Sequence, residues 1–324
     1  MSHHHHHHGD QDDDLLVEEV PRYFTLEDYE GGVARWCPGC GDLAVLTAVQ
    51  KILRDEQIPP ERTVCVSGIG CSSRFPHYMK TYGFHGLHGR ALPVACGVKS
   101  RRPDLTVWVA TGDGDCCSIG AGHWVHGIRY NMDLVIMLFD NNVYGLTKNQ
   151  TSPTSPIGLH TNTHPGGAIL PPLNPIQTTL GFTNASFVAQ TVDWNPIHLQ
   201  ATLQAAYKHR GTGFVRILQR CPTYTAGVFE DLVRDPSRLL VLEHEDGIPV
   251  ADSLRRIFPN RTTHDPSDLA AARALADRTD YVPIGLFFRD EKRPCYEEFS
   301  ERGLNFTAEE RLAALEREVD RFLV

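Results

Sequence analysis

The chain lacks any hydrophobic run long enough to cross a membrane. Its longest clean apolar stretch, Leu134–Phe139, has six residues, against the roughly 20 that a spanning helix needs. It also lacks a basic surplus: Lys and Arg number 31 against 40 Asp and Glu, for a formal charge of −9 and a pI near 6.0. That balance argues against nucleic acid as the main partner. No internal repeat is present, and no low-complexity tract apart from Met1–Gly9, whose six consecutive histidines mark an expression tag. No signal peptide is recognisable, so a cytoplasmic location is expected. Nine cysteines are an odd number in a chain too large to need disulfide staples. This points to metal or redox roles for some of them.

What is present is an alternation of β-branched runs and amphipathic stretches, which predicts a doubly wound, mostly parallel α/β sheet. Asp42–Gln57 spaces Leu43, Val45, Leu46, Val49, Ile52 and Leu53 as one helix face, with Asp42 expected as its cap. Arg62–Gly68 reads as a strand and Ala91–Arg101 as a helix. Thr106–Thr111 and Asp133–Asp140 read as strands joined by a crossover helix within Cys117–Tyr130. Phe187–Thr191, Pro196–Arg210 and Phe214–Arg220 repeat the strand–helix–strand order. Thr151–Pro175, rich in Thr, Pro and Gly, is long enough to be a lid or binding loop. The expected organisation is a tag (1–9), an N-terminal arm (10–30), a main domain (31–227) and a polar C-terminal extension (228–324). The extension reads as a subunit-contact arm and ends in a helix with Thr307 and Glu310 as its capping box.

The most informative local pattern is Gly112-Asp113-Gly114-Asp115, a helix-length spacer, and then Asp140-Asn141-Asn142-Val143-Tyr144-Gly145. Two parallel strands joined by a crossover helix bring both turns to the carboxyl edge of one sheet, where open α/β sheets bind ligands. Asp113 follows the first strand; Asn141 and Val143 follow the second. A carboxylate, an amide oxygen and a backbone carbonyl are hard donors suited to Mg²⁺, which keeps its other positions for phosphate and water. Gly112 and Gly114 let the backbone approach a diphosphate with no Cβ in the way.

The cysteines form a second pattern. Cys37-Pro38-Gly39-Cys40 is a C-x-x-C pair, by itself compatible with a zinc knuckle, a redox dithiol or half a cluster site. Cys71, in Gly68-Ile69-Gly70-Cys71-Ser72-Ser73-Arg74, and Cys221, in Arg220-Cys221-Pro222-Thr223, both fall where a predicted strand ends. Four thiolates converging there suit [4Fe–4S] or tetrahedral zinc equally. Cys65, Cys96, Cys116, Cys117 and Cys295 read as small buried hydrophobes.

The Gly-Asp-Gly to Asn-Asn spacing resembles the thiamine diphosphate signature, in which Asp113, the Asn141 side chain and the Val143 carbonyl would hold Mg²⁺. The ordered set WCPGCGD, GIGCSSR, HGLHGRA, GDGD, NNVYGLT and RCPTY, running from Trp36 to Tyr224, resembles the β subunit of a 2-oxoacid:ferredoxin oxidoreductase. A weaker match covers Tyr281–Glu298. The resemblance implies the diphosphate domain of a thiamine enzyme, with Cys37, Cys40, Cys71 and Cys221 as ligands of one [4Fe–4S] cluster. It places Ile69, Gly70, Cys71, Ser72, His88, Gly89, Gly114, Asp115, Gly145 and Leu146 around thiamine diphosphate.

The implied reaction takes a 2-oxoacid, coenzyme A and oxidised ferredoxin to an acyl-coenzyme A, CO₂ and reduced ferredoxin, reversibly. Thiamine enzymes generally use a glutamate against the aminopyrimidine, and no motif places one here. The resemblance assigns it to an α subunit, in an (αβ)₂ heterotetramer. No clustered, ferredoxin-type cysteine run occurs either, so electrons must leave to a partner. Arg74 is a candidate for pairing the distal carboxylate of 2-oxoglutarate in preference to pyruvate; the alternative is an arginine on the diphosphate or a structural acid. Leu146 is a candidate for shaping the same pocket. The competing readings are pyruvate or broad 2-oxoacid specificity, and a non-redox thiamine-dependent decarboxylase or carboligase with structural zinc.

Overall fold

The computed structural model describes residues 22–300 and 307–322. The tag and the acidic stretch Asp10–Glu19 lie outside them. The strands in chain order are β1 (Thr63–Ser67), β2 (Tyr82–His85), β3 (Thr106–Gly112), β4 (Leu134–Asp140), β5 (Val143–Tyr144) and β6 (Gln150–Thr151). They continue with β7 (Phe187–Val192), β8 (Thr212–Leu218), β9 (Leu239–Glu243), β10 (Arg261–Thr263) and β11 (Val282–Arg289). The five main helices of the first 227 residues are α1 (Asp42–Asp55), α2 (Ala91–Arg101), α3 (Ala121–Tyr130), α4 (Pro175–Gly181) and α5 (Pro196–Lys208).

A parallel strand covered on both faces is apolar at every position, and all seven residues of β4 are buried. Val135, Met137 and Phe139 pack in one core cluster with Trp108 of β3; Leu134, Ile136 and Leu138 pack in another with Val107 and Val109. Val45, Val49 and Ile52 of α1 and Leu199 and Leu203 of α5 belong to the first cluster, and Ala95 of α2 and Trp124 of α3 to the second. The result is a three-layer sandwich of helices, sheet and helices. Burying each large aliphatic side chain contributes about 1.5–3 kcal/mol.

Nine strands form one sheet in the order β10-β9-β11-β7-β8-β4-β3-β1-β2. β2, β1, β3, β4, β8 and β7 all run parallel; only the β11–β7 pairing is antiparallel. The turns after β1, β3, β4 and β8 therefore share one sheet edge.

Three sequence expectations need correction. Asp42 is the first residue of α1 rather than its cap. Gly41 caps the helix, and both Asp42 carboxylate oxygens are buried without a hydrogen-bond partner. The crossover begins as a π-turn over Asp115–Ile119 before α3 starts at Ala121. The segment from Val228 is not a polar extension throughout. β9, β10 and β11 extend the sheet, and Leu239, Val241, Leu254, Phe258 and Ile284 form a third core cluster with Val192 and Leu218. Leu239–Glu243 and the eight-residue Val282–Arg289 are apolar runs that the charged stretches around them outweigh in the composition of the segment. The final helix, Ala308–Asp320, keeps the expected capping box between Thr307 and Glu310 and buries no residue.

Candidate cofactor and metal site

The edge where β1, β3 and β4 end holds a cavity of about 380 Å³. Ile69–Ser72, His88, Gly112–Asp115, Asn141 and Val143–Thr147 line it, so the structure brings both halves of the Gly-Asp-Gly and Asn-Asn pattern to one wall. Of the residues expected around the cofactor only Gly89 stands behind the lining. Its φ of +70° and its packing explain why it is glycine: a Cβ there would lie 2.6 Å from Ile119 Cγ2 and 2.7 Å from the Gly120 nitrogen. At Gly114 an added Cβ would collide with the Tyr144 ring, whose hydroxyl donates to the Gly114 carbonyl at 3.1 Å.

Asp113 is buried, and its Oδ2 accepts from Ser152 Oγ at 2.5 Å and Thr154 Oγ1 at 2.7 Å. Thr154 Oγ1 also lies 2.7 Å from Asp140 Oδ1, and one hydroxyl proton serves only one of two carboxylates. Burial, then the nearby Asp140, pushes the Asp113 carboxyl up to about 7. Asp140 is already paired, its Oδ2 lying 2.7 Å from Arg216 Nε and 2.6 Å from Nη2. Among the described residues Asp113 is therefore the acid left without a cationic partner and the oxygen donor suited to a divalent cation. Asn141 Oδ1 accepts from the Val143 amide at 3.2 Å, folding the turn so that both face the cavity. Asn142 takes a left-handed φ of 60° that asparagine tolerates, and its amide donates to Asp140 Oδ1 at 2.7 Å. The second Asn thus builds the turn.

Asp115 has a different part. Its Oδ1 accepts from the Gly89 amide at 2.6 Å and the Ile69 amide at 3.1 Å, and its Oδ2 from Thr111 Oγ1 at 2.7 Å. Its carboxylate is spent on protein donors, so it joins three loops around the cavity. Ser152 and Thr154 escaped sequence reasoning. They lie in the Thr151–Pro175 loop, whose composition signals a functional loop without singling out residues.

The four expected cysteines also gather at this edge. The Gly41 amide donates to the Arg220 carbonyl at 3.1 Å, tying the two cysteine loops together. Thr223 Oγ1 lies 3.3 Å from Cys37 Sγ, and Gln219 Nε2 lies 3.4 Å from Cys40 Sγ. Trp36 Nε1 donates to the Cys71 carbonyl at 2.7 Å. Burial pushes the Cys71 thiol up to about 12, with Asp42, Cys221 and Cys37 adding to the shift; burial likewise raises Cys40, with Asp42, Cys71 and Cys221 contributing. These thiols feel one another's charge. Among the described residues, however, no three His, Cys, Asp or Glu donors gather tightly enough for a single metal ion. Cys71 also lines the cavity, so the two sites share a wall. Cys65, Cys96, Cys116, Cys117 and Cys295 are buried in packing positions, as expected.

Arg74 lies beside the cavity rather than in its wall, with its guanidinium 6.0 Å from the Tyr78 ring centre. Among the described residues it has no carboxylate partner. Leu146 is 46% exposed at the cavity mouth.

Comparison with known proteins places this geometry. Residues 68–217 match the family described as thiamine pyrophosphate enzyme, C-terminal TPP binding domain. Residues 255–302 match the family described as the C-terminal part of the pyruvate ferredoxin oxidoreductase beta subunit. The chain is 45% identical to 2-oxoglutarate oxidoreductase subunit KorB of Mycobacterium tuberculosis, over 82% of this chain and 77% of the relative. It is 36% identical to 2-oxoacid:ferredoxin oxidoreductase 2, subunit beta, of Aeropyrum pernix, over 83% and 84%. A solved 2-oxoglutarate:ferredoxin oxidoreductase from Magnetococcus marinus, with 2-oxoglutarate, coenzyme A and succinyl-CoA bound, superposes with a TM-score of 0.76. It is 36% identical and covers 90% of this chain and 96% of its own.

Proposed function

The chain belongs to the 2-oxoacid:ferredoxin oxidoreductase β-subunit family, and from that premise we propose that it is the β subunit of a 2-oxoglutarate:ferredoxin oxidoreductase. The reaction converts 2-oxoglutarate, coenzyme A and two oxidised ferredoxins to succinyl-CoA, CO₂, two reduced ferredoxins and a proton, reversibly. The observation that carries this reading is the shared wall: Cys71 belongs both to the cavity beside Asp113 and Asn141 and to the cysteine quartet.

Thiamine diphosphate, when bound, supplies the electron sink for decarboxylation, and a [4Fe–4S] cluster takes electrons singly. Asp113, Asn141 Oδ1 and the Val143 carbonyl would hold Mg²⁺, with Ser152 and Thr154 orienting the Asp113 carboxylate. The glycines at 70, 114 and 145 leave room for the diphosphate, and His88 and Ser72 present polar atoms to it. Cys37, Cys40, Cys71 and Cys221 would hold the cluster. Arg74 would face the distal carboxylate and Leu146 the substrate chain.

The aminopyrimidine-facing glutamate comes from an α subunit, which completes the site in an (αβ)₂ heterotetramer, and ferredoxin accepts the electrons. A cytoplasmic location fits a chain in which no described helix is long and apolar enough to span a membrane. The zinc-bearing non-redox alternative loses support because the named relatives are oxidoreductases.

The test is metal and cofactor content of the anaerobically purified chain, co-produced with its α subunit, together with 2-oxoglutarate-dependent ferredoxin reduction. About four iron and four sulfide per chain with thiamine diphosphate supports the reading; one zinc and no iron overturns it.

A further inference from the structure

A second cavity, of about 430 Å³, opens beside the first and shares Ile69, Gly70 and Leu146 with it. The rest of its wall includes Arg35, Arg74 and His77 and contains no carboxylate. Buried Tyr78 anchors the arginines: the Arg35 amide donates to the Tyr78 hydroxyl at 3.0 Å, and the Arg74 guanidinium lies 6.0 Å from its ring centre. Arg74 Nη1 donates to the Arg35 carbonyl at 3.4 Å, which brings the two residues together. Neither guanidinium forms an ion pair among the described residues. Arg35 and Arg74 therefore bring two positive charges to the lining of one cavity with no acid in it, an arrangement that a bound anion stabilises. His77, on the same short helix as Arg74, also lines the cavity, its ring centre 5.0 Å from that of His85. His85 is committed to the protein through Nδ1, 2.6 Å from the Ser73 carbonyl, so His77 is the free imidazole of the pair.

We infer that Arg35 and His77, together with Arg74, form a subsite for an anionic group of a reactant whose reacting end lies in the adjoining cofactor cavity. The inference rests on the oxidoreductase reading for the identity of that reactant. The shared chemistry is a cluster of anionic oxygens, supplied either by the distal carboxylate of the 2-oxoacid or by a phosphate of coenzyme A. Ile69, Gly70 and Leu146 line both cavities, so the two adjoin and one reactant with groups at both ends suits the pair. Guanidinium groups suit either source because they pair bidentately with carboxylate and phosphate alike. Arg35 and His77 are specificity-determining residues here, distant from the bond-breaking atoms.

The test uses the complete complex, α subunit included, and sets wild type against Arg35→Ala, Arg35→Lys and His77→Ala. KM and kcat are measured for 2-oxoglutarate, pyruvate and coenzyme A, and direct binding of 2-oxoglutarate and coenzyme A is measured by titration. Arg35→Ala is expected to raise KM for 2-oxoglutarate about tenfold with kcat changed less than about twofold, and Arg35→Lys to recover part of the loss. His77→Ala is expected to act in the same direction and more weakly. KM for pyruvate stays level if the anion is the distal carboxylate. If KM for coenzyme A rises instead, the anion is a phosphate and the subsite stands. Unchanged KM and binding for all reactants in both alanine variants overturns the subsite. Anion binding without turnover in wild type would sink the oxidoreductase reading and leave the subsite intact.

Discussion

His88 Nδ1 lies 2.7 Å from Asp115 Oδ1. The same oxygen accepts the Gly89 and Ile69 amides, so one buried carboxylate fixes the loops after β1, after β2 and after β3. That contact orients the imidazole, which is partly exposed on the cavity wall. The cavity is therefore shaped by a group the cofactor need not touch.

Replacing Asp115 with Asn puts an amide where two backbone N–H groups converge. The Asn oxygen still takes both N–H groups but without the charge, and hydrogen bonds to a charged group are worth about 1.5–3 kcal/mol against about 0.5–1.5 kcal/mol for neutral ones. Asp115→Asn is expected to lower the melting temperature by several degrees and weaken thiamine retention. Thermal denaturation and thiamine content read the two effects; an unshifted melting temperature would show that the loops hold without it.

The proposed metal and cluster ligands should separate by mutation. Asp113→Ala removes an oxygen donor and no thiolate, so thiamine content should fall while iron stays near the wild-type value. Cys221→Ser should lower iron and leave thiamine bound. Paired iron and thiamine assays on both proteins check this, and loss of the same component in both would mean one site, not two.

Arg74→Ala removes a guanidinium that no described carboxylate balances. KM for 2-oxoglutarate is expected to rise by about tenfold or more, with a much smaller change for pyruvate. Steady-state kinetics of the complex with both substrates decides it: equal losses would assign Arg74 to a group common to both reactions.

His198 is fully buried, and burial lowers its pKa to about 4 from an ordinary value of 6.5. The unfolded chain therefore binds a proton below about pH 6.5 that the folded chain refuses until about pH 4. Stability falls as pH drops through that window, by up to about 3 kcal/mol from this residue. Melting temperatures between pH 7 and pH 4.5 should fall less steeply for His198→Asn than for wild type. Parallel curves would mean that His198 does not set the acid limit.

Much of the site was legible because its chemistry is written in short runs. Gly112–Asp115, Asn141–Gly145, the C-x-x-C pair and the β-branched stretches each depend on neighbours within a few residues, and local periodicity predicts the strands that carry them. The sequence by itself determined the parallel α/β frame and set Asp113, Asn141, Cys71 and Cys221 at the ends of its strands.

Tertiary structure alone decided what depends on long-range contact. Ser152 and Thr154 reach Asp113 from about forty positions away. Arg74 meets Arg35 across a sequence gap of 39, and β11 pairs with β7 from almost one hundred residues downstream. Ser, Thr and Arg carry no periodic signature, and an apolar run such as Val282–Arg289 does not announce which strand it will join. Propensity acts along the chain, whereas hydrogen bonding and burial act through space.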